Sequence, residues 1–131
     1  MKYWKMRFRA GQGGEDFFED CRREGVAVLG WSDGRGRDIV GDCRNLTLEK
    51  YTEIWRRRRP RNSSGRASLR RVAYEMEPGD MIYAMTGPRV VGKGTITKEG
   101  YGFASRSPVP ELGNHFVRVT NQSSIYLTFE Y

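Results

Sequence analysis

MIYAMTGPRVVGKGTIT, residues 81–97, carries two apolar runs, Met81 to Met85 and Val90 to Thr97, on either side of Gly87-Pro88. Short runs rich in β-branched and aromatic residues, parted by a Gly-Pro signal, read as two strands of a hairpin. The same stretch holds Gly87-Pro-Arg-Val-Val-Gly92-Lys93-Gly94, which comes close to a phosphate-binding P-loop. Gly94 stands where the magnesium-binding hydroxyl belongs, and Thr95-Ile96-Thr97 continues as strand where a P-loop leads into a helix. The segment is therefore expected to be a strand connection and not a nucleotide site.

Working outward, Phe116 to Thr120 and Ile125 to Phe129 are two further strand runs, so the second half of the chain reads as a β-meander. Toward the N-terminus, Tyr3 to Arg9 alternates Trp4, Met6 and Phe8 with Lys5, Arg7 and Arg9, the pattern of a half-buried strand with Trp4 in the core. Gly11, Gly13 and Gly14 interrupt it. Glu15 to Glu24 reads as a short helix capped by Gly25, and Val26 to Trp31 as a buried strand with Trp31 at the mouth of the polar loop Ser32 to Asp42. Thr47 caps a second helix in which Leu48, Tyr51 and Trp55 share a face. Asn62-Ser-Ser-Gly65 reads as a flexible joint before a third helix, Ala67 to Glu77, ended by Pro78-Gly79-Asp80.

Strand, helix, strand, two helices and four strands lack the strict alternation of a doubly wound sheet. The expected fold is α+β: a strongly curved mixed sheet or open barrel of about six strands with two to three packed helices. At 131 residues, and without internal repeats, the chain is expected to form one domain over 1–131. No apolar run reaches the length of a membrane span. The opening residues alternate apolar and basic instead of forming a signal-peptide stretch, so a cytoplasmic protein with no membrane partner is expected.

The formal charge is +7 and the pI near 9.7, with 18 Arg against 5 Lys. That balance favours polyanions, and the guanidinium fork suits phosphate and base edges better than an ammonium does. Nucleic acid is the first partner to consider. Eight arginines fall between Arg56 and Arg71 with no acid among them. Arg56, Arg57, Arg58, Arg59, Arg70 and Arg71 are the candidate phosphate contacts, which would give salt-dependent affinity without sequence information.

Chemistry finds little footing. Cys21, Cys43 and His115 lack the spacing of zinc ligands, and both cysteines read as buried, reduced and small. His115 has no local Ser or Cys elbow beside it and reads as a loop or strand-edge residue. Asp80 lacks the Glu-x-Lys or Asp-x-Lys of a metal-dependent nuclease on the next strand. A non-catalytic protein without cofactor or metal is expected. Trp31 before Ser32-Asp33-Gly34, and Tyr101 and Phe103 within Gly100-Tyr-Gly-Phe-Ala104, are aromatics beside glycines and so candidates for stacking on a base.

Taken in order, the strand Lys2 to Arg9, Gly25 to Trp31-Ser32, the Glu77-Pro-Gly-Asp80 turn, Val91-Gly-Lys-Gly-Thr-Ile96 and Gly100-Tyr101 resemble the PUA superfamily, and within it the EVE and YTH-like domains. The resemblance implies a PUA-like fold and a reader that takes a modified base, such as a methylated adenine or cytosine, into an aromatic pocket. It is similar to the N-terminal readers of McrB-type modification-dependent restriction systems, which implies an AAA+ GTPase and a nuclease as effectors. Trp31 matches the cage Trp and Tyr101 the aromatic after the Gly-x-Gly strand. The second cage Trp has no counterpart in its region, Phe103 to Glu111. The expected pocket is Trp31, Ser32, Asp33, Tyr101 and Phe103, on modified DNA. The alternatives are a PUA-like domain acting on tRNA or rRNA, and a protein-docking domain.

Overall fold

The computed structural model describes residues 1–9, 15–31 and 37–121. In chain order these form β1 (Tyr3–Arg7), α1 (Phe18–Glu24), β2 (Val26–Leu29), α2 (Leu48–Arg58), α3 (Ser63–Arg70), β3 (Met81–Thr86), β4 (Arg89–Phe103) and β5 (His115–Asn121). The architecture is α+β, as expected. The strands make one mixed sheet of five in the order β1-β3-β4-β5-β2, with β1 parallel to β3 and every other pair antiparallel. The sixth strand expected over Ile125 to Phe129 lies outside the described residues. Among the described residues, no helix is long and apolar enough to cross a membrane.

The β3–β4 hairpin turns at Gly87-Pro88, with Gly87 at φ 59°. The Gly87 to Thr95 segment is thus turn and strand. Two irregularities bend β4. Its register against β3 shifts at Ala84/Met85, and its register against β5 jumps from Ile96↔Val119 to Tyr101↔Val117, with Gly100 at φ 61° inside the bulge. Bulges increase local twist and bend the strand that carries them. Residues of both edge strands, Trp4 to Arg7 of β1 and Val28 and Leu29 of β2, border one groove, which is compatible with the expected curved sheet.

Phe103 thus closes the 15-residue strand β4, and Tyr101 lies two residues before its end. The glycine beside them is needed for packing. A Cβ on Gly102 would sit 2.6 Å from the Phe116 ring.

The helices cover the sheet through two cores. One holds Met6, Phe8, Cys21, Val26, Val28, Ile82, Ala84, Ile96 and Val117, and the other, beneath α2 and α3, holds Ile39, Cys43, Tyr51, Trp55 and Leu69. Leu29 and Tyr101 pack against both. α1 begins at Phe18, later than the sequence pattern suggests, because Asp16 turns the chain first: its carboxylate accepts from the Phe18 N–H at 2.8 Å and from the Thr86 hydroxyl at 2.8 Å. Gly25, at φ 66°, ends α1 in a left-handed cap.

The Asn62-Ser-Ser-Gly65 stretch is not a joint. Asn62 caps α3, accepting from the Gly65 N–H at 3.0 Å, and Ser63 to Gly65 form its first turn. Trp55 Nε1 donates to the Asn62 carbonyl at 3.0 Å and the Tyr51 hydroxyl to the Arg66 carbonyl at 2.6 Å, which locks α2 onto α3. The expected third helix ends early as well: after Arg70 it widens into a π turn, Arg71–Glu75.

Candidate functional site

The groove between the sheet edges has a volume of about 940 Å³. That falls in the range of small-ligand sites. Its floor is apolar, with Met6, Val28, Val72, Met76 and Leu112, and two indoles, Trp4 and Trp31, stand in its walls. Lys5, Arg7, Arg9 and Arg71 supply cations around it, against Glu111 as the one acid among its lining residues. Apolar faces flanked by cations suit a ligand with a flat apolar body and a negative charge.

Each indole is held from behind. Trp4 points inward from β1 by strand alternation, and its Nε1–H donates to Asp80 Oδ2 at 3.0 Å. Asp80 also accepts from the backbone N–H of Lys2 at 3.0 Å and of Glu77 at 3.0 Å. Burial alone would raise its pKa, but these three donors together hold the carboxyl below its ordinary range. Asp80 is therefore an anchor for Trp4.

Trp31 follows the end of β2 and packs edge-on against the buried Trp55, with ring centroids 5.6 Å apart and planes at 73°. Its height is set by a backbone contact at the preceding residue. Gly30 and Gly113 approach so closely that a Cβ on Gly113 would lie 2.5 Å from Gly30 N and Cα. The contact also fixes the neighbouring turn Pro110–Leu112, which brings Glu111 and Leu112 to the groove.

Of the expected pocket residues, the structure places Trp31 in the groove. Ser32 and Asp33 lie outside the described residues. Tyr101 and Phe103 are not among its lining residues and instead flank His115, with ring centroids at 5.9 Å and 5.0 Å. The Tyr101 hydroxyl accepts from the Cys43 N–H at 3.1 Å and meets His115 Nδ1 at 2.7 Å, and burial drives its pKa far upward. His115 corrects the expectation of a loop or edge residue. It opens β5 but is fully buried, with Nε2 2.8 Å from Asp38. Cys21 and Cys43 are free and buried, and burial pushes their thiols up to about 12 and about 11.

The arginines separate into groups. Arg56 and Arg57 are exposed on the last turn of α2. Arg58 donates to the Ile39 carbonyl and Arg70 pairs with Glu75 at 3.1 Å. Arg59 is half-buried, and Arg71 reaches the groove.

Sequence reasoning missed Trp4 as a groove wall, together with Lys5, Arg7 and Arg9. Their alternation shows one face in and one face out, but a sheet edge is set by strand order, which periodicity does not carry.

No curated protein and no solved structure matches the chain. Residues 4–120 do match a family described as a domain of unknown function, DUF8426, and the chain belongs to that family.

Proposed function

We propose that the chain is a non-catalytic nucleic-acid-binding module of the PUA-like, EVE/YTH type, which holds a modified base, turned out of its stack, in the groove beside Trp31. One observation carries this reading: Trp31 shares a single groove with Trp4, Lys5, Arg7, Arg9 and Arg71. An indole offers a stacking face, and the cations offer contacts to the phosphates on either side of the extruded nucleotide. Extrusion costs a few kcal/mol and stacking returns about 1–3 kcal/mol per base, so the cations must supply the rest.

Binding is favoured over chemistry because the one histidine is committed at both ring nitrogens and the two thiols are buried. A methyl group on the base adds apolar surface that the floor of Val72, Met76 and Leu112 would cover. A reader of this kind would target a nuclease and its AAA+ GTPase to modified DNA.

The test is a pair of binding isotherms on matched methylated and unmethylated oligonucleotides. Trp31→Ala should abolish the preference while the melting temperature stays near that of the parent, and Trp31→Phe should keep part of it. A parent without preference, or a Trp31→Ala variant that retains it, overturns the reading.

A further inference from the structure

On the outer face of the sheet, away from both cores, Tyr3 and Tyr83 are stacked, with ring centroids 6.0 Å apart and planes at 28°. Tyr3 is 60% exposed, among the most exposed large hydrophobic residues described. The register places Lys5, Tyr83 and Lys93 directly abreast on β1, β3 and β4, and Tyr3 abreast of Met81 and Thr95. Neither row contains an acid. Outward positions of a strand are ordinarily polar, because they face water. Here they present a stacked pair of tyrosine rings, with Lys5 and Lys93 on either side of Tyr83.

We propose that this face is a second nucleic-acid contact, a platform on which unpaired bases extend the Tyr3–Tyr83 stack from the exposed Tyr3 ring while Lys5 and Lys93 meet the phosphates. Aromatic rings on an open sheet face accept any base, because every base has a π-face, and flanking cations track the backbone. The platform is continuous with the groove, since Lys5 and Arg7 of β1 border the groove from the same strand. A strand leaving the groove would cross β1 onto the tyrosines. The choice of nucleic acid as partner rests on the function proposed above, whereas the tyrosine site stands on its own geometry.

The experiment compares an unmodified single-stranded oligonucleotide with the matched unmodified duplex, measured by fluorescence anisotropy of the labelled nucleic acid. Tyr3→Leu keeps a bulky apolar side chain at an exposed position but removes the ring. It should weaken single-strand binding about tenfold, leave duplex binding unchanged and leave any preference for a methylated base intact. Tyr3→Trp should bind the single strand at least as well as the parent, and Lys93→Ala, outside the groove, should flatten its salt dependence. The proposal fails if Tyr3→Leu binds the single strand as the parent does, or loses single strand and duplex alike. Tyrosine-dependent binding without methyl discrimination at Trp31 would leave the platform standing and remove the base reader. Discrimination at Trp31 with an indifferent Tyr3→Leu would do the reverse.

Discussion

The Tyr101 hydroxyl lies 2.7 Å from Nδ1 of His115, inside the protein. For a neutral imidazole one sense of donation satisfies every group. The hydroxyl accepts from the Cys43 N–H and donates to Nδ1, which leaves the proton on Nε2 to donate to Asp38 at 2.8 Å. Asp38 in turn accepts from the Gly41 N–H at 2.8 Å. A single chain of bonds thereby ties β4, β5 and the segment that leads into α2. Buried polar groups that are all satisfied in this way fix one arrangement, because any other leaves a desolvated donor or acceptor unpaired.

Removing the Tyr101 hydroxyl breaks that chain without emptying the core. Tyr101→Phe leaves His115 Nδ1 and the Cys43 N–H unpaired and should cost about 1–3 kcal/mol. Thermal melting should then show a midpoint several degrees below the parent. Discrimination between methylated and unmethylated oligonucleotides should be unaltered, since Tyr101 is not among the residues that line the groove. A variant that melts normally but loses discrimination would return Tyr101 to the base pocket.

The arginines on the last turn of α2 differ from those held by neighbours. Arg56 and Arg57 are exposed, whereas Arg58 and Arg70 are already engaged by the Ile39 carbonyl and by Glu75. Arg56→Ala with Arg57→Ala should weaken modified and unmodified duplex equally. It should also lower the slope of log affinity against log salt by about 1.8, the value for two released phosphate contacts. Unchanged affinity and slope would show that this helix end is only solvated.

Local chemistry made much of the fold legible. The Gly87-Pro88 turn, the break in the P-loop pattern at Gly94 and the Thr47 cap each follow from what one or two residues permit. Misreadings arose where a local signal has two uses. Asn62, Ser63, Ser64 and Gly65 are loop-forming residues by composition, but Asn and Ser also cap helices, and Gly65 leaves room for the Asn62 side chain, whose Nδ2 a Cβ there would approach to 2.8 Å. Glycines around Tyr101 suggest a ring with little local packing and free to stack on a base, whereas they serve a bulge and the close approach of Phe116. The Asp38, Tyr101 and His115 cluster and the groove draw residues from distant parts of the chain. Only the strand order that puts β1 and β2 at the two edges brings such residues together.

Asp80 gives the protein a sensitivity to acid. Its carboxyl is held below the ordinary value by Trp4, Lys2 and Glu77. A carboxylate depressed in the folded state contributes stability that is fully present above about pH 4, its unfolded value, and is lost as the pH falls through the folded value. Asp80→Asn keeps one acceptor for three donors and should lower stability at neutral pH by about 1–3 kcal/mol. Urea titrations across the acid range should show the gap between parent and variant narrowing below about pH 4. A gap that stays constant into strong acid would mean that Asp80 acts by shape and not by charge.

The contact between Gly30 and Gly113 makes the sharpest demand on sequence. A Cβ on Gly113 would lie 2.5 Å from Gly30 N and Cα and 2.7 Å from the Leu29 carbonyl carbon, and these are backbone atoms that no rotamer change can move. Gly113 also holds φ at 123°, which side chains rarely adopt. Gly113→Ala must therefore part the end of β2 from the Pro110–Leu112 turn, at a cost of about 2–5 kcal/mol from overpacking and strain combined. Gly79→Ala is the matched control. Gly79 has φ 92° but nothing within 4 Å of its added Cβ, so it pays for conformation alone, about 1–2 kcal/mol. The groove should register the difference too. Trp31 adjoins Gly30, and Leu112 adjoins Gly113, so parting the two glycines pulls the Trp31 wall from the floor at Leu112, and Gly113→Ala should lose methyl discrimination at temperatures where it remains folded. Gly79→Ala should keep it. Equal losses of stability in the two variants, or discrimination preserved in Gly113→Ala, would show that the walls are positioned by something other than this contact.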